Sequence, residues 1–309
     1  MKIFIPKTEH GIIKFSWKKS IWLYAMTLPI VLIDFSSINK FDFILNICLL
    51  VLTVGIGHSV GLHRGIIHKS YKTSKTFRNI SLYLFILTGL GSPLSWLRQH
   101  YYRDYWQNRK DCPRYFQYKH SLFTDYVWNL HLTYIPVNES RYNIPLKDIN
   151  DSTIKWLNKT WIIHYILFMA ILYLVFGFNS MLFATCFRTS LIILGHWYIG
   201  YASHKYGYSR YKIVDADESG YNDVILGLLS FGEGFHNNHH SYPTSAKFSS
   251  KWYEIDFGWM IAWCLMKLKV IKNVNLQEGH LKKTARAYNA TKWKLPKFYN
   301  HENTSNTLH

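Results

Sequence analysis

Long apolar runs alternate along this chain with basic, aromatic stretches. The first run covers residues 21–35, interrupted by Pro29, and the second covers 41–62, with only the polar stretch 36–40 between them. Each is near the roughly 20 residues that a bilayer core demands, so the pattern predicts a helical hairpin. A second hairpin is predicted from 161–176 and 181–199, turning through Gly177-Phe178-Asn179-Ser180. The run 80–96 is also long and apolar, but it carries Gly89, Gly91 and Pro93, which break helices. His63 and His68 follow the second span, and His100 follows this run. If the run crossed the bilayer, His100 would lie on the face opposite His68, and no metal could join them. It therefore reads as an interfacial or buried helix.

The expected fold is an all-α integral membrane protein: four transmembrane helices in two hairpins, with a cytosolic helical cap holding a histidine-rich metal site. Residues 1–19 read as a basic cytosolic N-terminal segment, 20–268 as the membrane domain and 269–309 as a polar tail. An amphipathic aromatic helix is expected over 252–268, and the tail after Lys294 has a disordered composition. Residues 1–19 lack the apolar core of a cleavable signal peptide.

Composition fits this picture. The chain has 309 residues, 49% of them hydrophobic, yet its mean hydropathy of -0.08 averages two unlike populations. Its 36 Lys and Arg exceed its 18 Asp and Glu, for a formal net charge of +18. No zinc-finger, homeodomain or RNA-binding pattern accompanies that charge, which argues against nucleic acid as a partner. With four spans, the two outer loops carry a single basic residue, Lys40, and nearly all others fall on the inner side, as the positive-inside rule requires. The metal site and both termini are then cytoplasmic. Arg188 is the exception, inside the fourth span, where it is expected to pair internally or snorkel. The four cysteines (Cys48, Cys112, Cys186, Cys264) form no CxxC and read as small hydrophobes.

Sixteen histidines is a high count, and their placement matters more. His63-Arg64-Gly65-Ile66-Ile67-His68 closes the second span, His204 closes the fourth, and His236-Asn237-Asn238-His239-His240 follows Gly232-Glu233-Gly234. Positions i, i+3 and i+4 share a helix face, so His236, His239 and His240 are expected to converge on one point. Imidazole suits iron, zinc or copper, and no thiolate cluster competes.

These boxes resemble those of the membrane fatty acid desaturase family, in its acyl-CoA delta-9 (stearoyl-CoA desaturase-like) branch. The resemblance runs from about Gly57 to Leu268. His63 and His68 match the first box, Gly91-Ser92-Pro93-Leu94 with Trp96 and His100 the approach to the second, and Gly232 to His240 with Pro243 the third. Residues 252–259 resemble the segment that follows. The resemblance implies two irons held by His63, His68, His100, His204, His236, His239 and His240. It further implies dioxygen as co-substrate and a lipid or acyl-thioester chain that loses hydrogens. Breaking an unactivated C–H bond needs an oxidant that a cofactor supplies and no side chain can.

The second box departs from the pattern. Where two histidines should stand, the chain has Arg103 and Asp104. Arginine stays protonated and cannot ligate; aspartate can, and at i+4 from His100 it shares that face, so Asp104 is an eighth candidate ligand. Seven or eight groups allow two irons, or one intact and one weak. Gly200 replaces an asparagine expected four residues before His204. His196 and His58 are extra histidines expected to be satisfied buried groups; about 12 Å of helix separates His196 from His204. Arg103, Trp106, Asn108, Gly200 and Trp197 are the residues expected to face substrate or to brace the ligands. With no cytochrome b5 signature in the sequence, a separate ferredoxin, cytochrome b5 or reductase is expected to deliver electrons. The altered box leaves two other outcomes open: a hydroxylase of a lipid or natural product, and a non-catalytic lipid-binding homologue.

Overall fold

The computed structural model describes residues 5–107, 109–213, 216, 218–277 and 285–287. Helix α1 (Trp17–Thr27) starts under the Ser16 hydroxyl, which accepts from Lys19 N, and tightens into a 3-10 turn over Leu28–Leu32 at Pro29. Helix α2 (Lys40–Ile67) begins with a capping box, Asn39 and Asp42 each accepting from the other's backbone N–H. Its second half, Val51–Ile67, is wound as a π-helix.

Helix α3 (Lys75–Ile86) lies directly against that π segment. Glycines permit the approach: a Cβ on Gly57 would fall 2.5 Å from Phe85 N, and one on Gly61 2.3 Å from Ser81 Cβ. The chain then reverses through Gly89 (φ 77°) and Gly91 (φ 111°), and α4 (Pro93–Gln107) carries it back. The run 80–96 is thus split between two helices. Arg188 explains how the buried end of α3 is tolerated. Its Nη2 donates to the Leu87 carbonyl (2.9 Å), its Nη1 to Thr53 Oγ1 (3.0 Å) and its Nε to Ala184 O (2.7 Å). The internal partner expected for this arginine is thus a helix C-terminus, whose orphan carbonyls favour a cation.

Helix α5 (Leu122–His131) leads to α6 (Ser152–Ala202). Alpha6 has a non-helical residue, Gly177 (φ 83°, ψ 176°). Tyr165 and Thr189 hydrogen-bond through their hydroxyls, although 24 residues of straight helix would hold them about 36 Å apart. Alpha6 therefore folds back midway between them, at Gly177, as the hairpin pattern predicted. The tips of the two hairpins meet: Asp34 N donates to Asn179 Oδ1 (2.9 Å), and Asn179 Nδ2 donates to Asp34 O (3.0 Å).

Among the described residues two helices, α2 and α6, are long and apolar enough to cross a membrane. They expose large apolar side chains such as Ile44, Ile47, Ile163 and Leu174, while Asp42, Thr53 and Arg188 are buried. The fold is mostly helical, with short antiparallel pairs added. Gly11–Phe15 pairs with Leu132–Pro136, Lys72–Thr73 with Ile271–Lys272, and Tyr211–Ile213 with Ala285–Ala287. The expected helix over 252–268 is shorter: α8 covers only Phe257–Lys267 because Asp256 caps it, accepting from Trp259 N. The tail after Lys294 lies outside the described residues.

Candidate metal centre

Seven histidine side chains gather where α2, α4, α6 and the short helix α7 (His236–Ser241) meet. They form two clusters: His63, His68, His100 and His239, and then His204, His236 and His240. Each is placed by local geometry. In an α-helix five residues turn through about 500°, which would leave His63 and His68 facing about 140° apart. The π winding closes i to i+5 instead; His68 N donates to His63 O (3.0 Å), and the two rings meet with Nε2 atoms 3.1 Å apart.

Alpha7 is too short to hold itself. Its asparagines anchor it: Asn237 Oδ1 accepts from Arg210 N and Tyr211 N (2.7 and 2.8 Å), and Asn238 Nδ2 donates to Phe248 O (2.8 Å). The three histidines of this helix do not converge on one point, as the i, i+3, i+4 spacing suggested. His236 and His240 join His204, while His239 joins the other cluster. The reason is tertiary: the other imidazoles arrive from opposite sides of the helix.

The nitrogen spacing suits a bound metal. His63–His100, His63–His68, His204–His236 and His236–His240 have Nε2 pairs 2.9–3.1 Å apart. Two nitrogens about 2.1 Å from one ion and at right angles sit about 3.0 Å apart. Burial first, and then neighbouring histidines, hold His68, His204 and His239 well below the ordinary histidine range, and push His236 down to about 3. At neutral pH these imidazoles are uncharged and keep a lone pair for a cation.

Carboxylates stand behind the first cluster. Glu233 Oε2 is 2.7 Å from His63 Nδ1 and Asp104 Oδ2 is 3.3 Å from His100 Nδ1. Asp104 is therefore not among the gathered donor atoms; in this arrangement it braces His100 from behind. Burial raises its carboxyl, but the charge and hydrogen bond of His100 outweigh that and hold it below the usual carboxylate range. Glu233 also meets Arg64, Nη1 to Oε1 at 3.1 Å, and Arg64 Nη2 reaches Asp256 Oδ1 at 3.1 Å. This buried set, with Ser59 Oγ donating to Glu233 Oε1 (2.6 Å), ties α2 to the third box and to the cap of α8. Sequence reasoning named Glu233 and Asp256 only within their motifs and gave neither a role; for Glu233, a charge between two glycines in an apolar setting was the available signal.

A cavity of about 220 Å³ adjoins both clusters. Arg103, Trp197 and Gly200 line it, as expected of residues near the site. Trp106 does not: it is buried in the core, donating from Nε1 to Tyr142 Oη (3.1 Å) and stacked on His10. Asn108 lies outside the described residues. His58 and His196 also line the cavity and meet edge to face at 5.2 Å, each against Trp96. Neither joins a cluster. His58 Nε2 has no hydrogen-bond partner among the described residues, so it is not the satisfied buried group expected.

Residues 43–261 match the model of the fatty acid desaturase family. The chain belongs to that family. Within it, the protein is similar to the sn-1 stearoyl-lipid 9-desaturase of Anabaena variabilis, with 28% identity over 231 residues, covering 74% of this chain and 81% of the relative. It is also similar to the acyl-CoA 5-desaturase AL21 of Anemone leveillei, with 26% identity over 247 residues, 78% of this chain and 74% of the relative. A third such desaturase is the delta-9 acyl-lipid desaturase 1 of Arabidopsis thaliana, at 26% identity and 75% of each chain. The histidine clusters are thus those of a desaturase-family protein of lipid metabolism, and the apolar helices agree with membrane association.

Proposed function

We propose that this protein is an iron- and dioxygen-dependent membrane desaturase that introduces a double bond into a fatty acyl chain. One observation carries the reading: seven histidines assemble into two clusters beside a cavity bordered by Trp96, Leu90 and Ile193. Two irons held by His63, His68, His100 and His239, and by His204, His236 and His240, would supply with dioxygen the oxidising power that an unactivated C–H bond demands. The chain's own residues position and shield. Glu233 and Asp104 orient two imidazoles through their outer nitrogens. The apolar wall holds an acyl segment near the clusters and keeps water out.

A second cavity, of about 580 Å³, shares Lys19, Trp22, Leu90, Trp96 and Gln99 with the first and adds Lys18 and Arg98. Its two lysines suit the anionic carrier of an acyl chain, a lipid headgroup or an acyl thioester, while Arg98 is paired there with Glu139 (2.7 Å). The named relatives include enzymes of both kinds.

Four spans are the topology we infer: α1 with its 3-10 extension, α2, and the two arms of α6. The meeting of Asp34 with Asn179 puts both hairpin tips at one end. The excess of basic residues in the segments between the spans supports a cytoplasmic side for the histidines. Electrons come from a separate donor, and the basic cytosolic face would steer an acidic one, so turnover is expected to fall with ionic strength.

The test is expression in an iron-supplemented host, with lipid analysis by mass spectrometry and iron counted per chain. The expected result is an acyl chain lighter by two hydrogens, lost in His100→Ala, with iron present. Asp104→Ala tests that carboxylate's part: lower iron content supports it, and unchanged content removes it. Unchanged host lipids together with iron-free protein would overturn the assignment in favour of a non-catalytic lipid-binding protein. One observation favours a second outcome. His58, His196 and Arg103 make the cavity wall more polar than a purely hydrocarbon segment needs. A product heavier by one oxygen would identify a hydroxylase.

A further inference from the structure

We propose that the two histidine clusters are unequal metal sites: His63, His68, His100 and His239 hold the tight one, and Arg103 weakens the one formed by His204, His236 and His240. The inference rests on the metal-dependent reading above. Three features of the structure support it independently.

The first is donor number. Four imidazole nitrogens gather in one cluster and three in the other. The second is what stands behind the ligands. His63 Nδ1 has the Glu233 carboxylate at 2.7 Å and His100 Nδ1 the Asp104 carboxylate at 3.3 Å, whereas at His204 the Glu218 carboxylate is more distant, 3.9 Å from Nδ1, and the ring also meets the Ser219 backbone. An outer carboxylate on a ligating histidine raises its basicity, and losing one such contact costs about 10–100-fold in metal affinity.

The third is a fixed positive charge on the poorer cluster. Arg103 Nη1 donates to Tyr118 Oη (3.0 Å), and the Tyr118 ring stacks on the His204 imidazole, centroids 4.3 Å apart and planes 9° from parallel. A Cβ added to Gly200 would stand at ordinary contact distance, 3.9 Å, from the same Nη1, so the guanidinium packs beside this position. Arg103 and the three histidines line one cavity. Neighbouring residues of a helix point about 100° apart, so Asp104 serves the first cluster while Arg103 turns to the second. The charge of Asp104 reaches His240 and His236 as well, but its carboxylate stands behind a ligand of the first cluster, whereas Arg103 adds a positive charge beside the second. A divalent ion attracts the carboxylate and is repelled by the guanidinium.

The experiment is an anaerobic titration of the metal-free, full-length protein in mild detergent with Fe(II), read by calorimetry and by metal counted after equilibrium dialysis. The wild type is expected to take one equivalent tightly and a second at least about tenfold more weakly, the lower end of an outer-contact effect. His68→Ala should remove the tight phase and His236→Ala the weak one. Arg103→Gln should narrow the gap, and Arg103→His, which supplies a fourth imidazole, should narrow it further. Circular dichroism checks that each variant is folded. Two equivalents of equal affinity in the wild type would overturn the inference while leaving the metal-dependent function intact. So would a gap that stays the same in folded Arg103→Gln and Arg103→His. A folded wild type that binds no Fe(II) would overturn both.

Discussion

Glu233 is shared between a ligand and a structural cation: one carboxylate oxygen lies 2.7 Å from His63 Nδ1 and the other 3.1 Å from Arg64 Nη1. The acidic residue that aims His63 is itself held by its sequence neighbour. Glu233→Gln should lower metal affinity by about 10–100-fold, the usual cost of losing such a contact. It should also lower the melting temperature, because the buried Arg64 cation then faces one carboxylate, Asp256, in place of two. Metal titration alongside thermal unfolding checks both; retention of full affinity would show that Glu233 does not support His63.

Arg188 bridges three segments by hydrogen bonds to Leu87 O, Thr53 Oγ1 and Ala184 O. Arg188→Leu keeps the volume roughly but leaves the Leu87 carbonyl at the end of α3 without this donor. The expected destabilisation is about 1–3 kcal/mol, the cost of an unmet buried polar group. A melting temperature in detergent equal to the wild type's would refute this role.

Gly57 admits α3 by lacking a side chain: a Cβ there would lie 2.5 Å from Phe85 N, a backbone atom that cannot move alone. Gly57→Ala should cost about 1–3 kcal/mol through overpacking. Since α3 sets where α4 returns, the variant should also bind less metal at the cluster containing His100. Full metal content at full stability would sink the argument.

The buried histidines make the metal-free form sensitive to acid. Burial holds His68, His204, His236 and His239 below their ordinary values. An unfolded chain takes up protons at these sites near an ordinary pKa of about 6.5, which the folded chain resists. The unfolded state therefore binds more protons below that pH, and stability must fall as pH drops. The melting temperature of the metal-free protein is expected to be lower at about pH 5.5 than at about pH 7.5. An equal or higher value at the acid pH would contradict the burial of neutral imidazoles.

The sequence alone determined the parts that depend on local pattern. Apolar runs with short polar turns placed both hairpins, because span length and turn chemistry are local properties; Gly177 and Pro29 stand where the runs said they would. The boxes named the seven histidines, because metal binding demands residue types that little else explains at that spacing. The glycines and proline of 80–96 likewise marked the turn that splits this run between two helices. What only the tertiary structure decided is how those groups are divided. The spacing in His236-Asn237-Asn238-His239-His240 cannot say that His239 leaves its neighbours, because that depends on imidazoles arriving from α2, α4 and α6. Nor could the place of Asp104 behind His100, or the pairing of Arg103 with Tyr118 and of Arg188 with the end of α3, be read from the chain. The i+4 spacing put Asp104 on the face of His100, but that it stands behind that ring and not among the donor atoms, like the other two contacts between separate segments, was fixed by how close-packed helices cross.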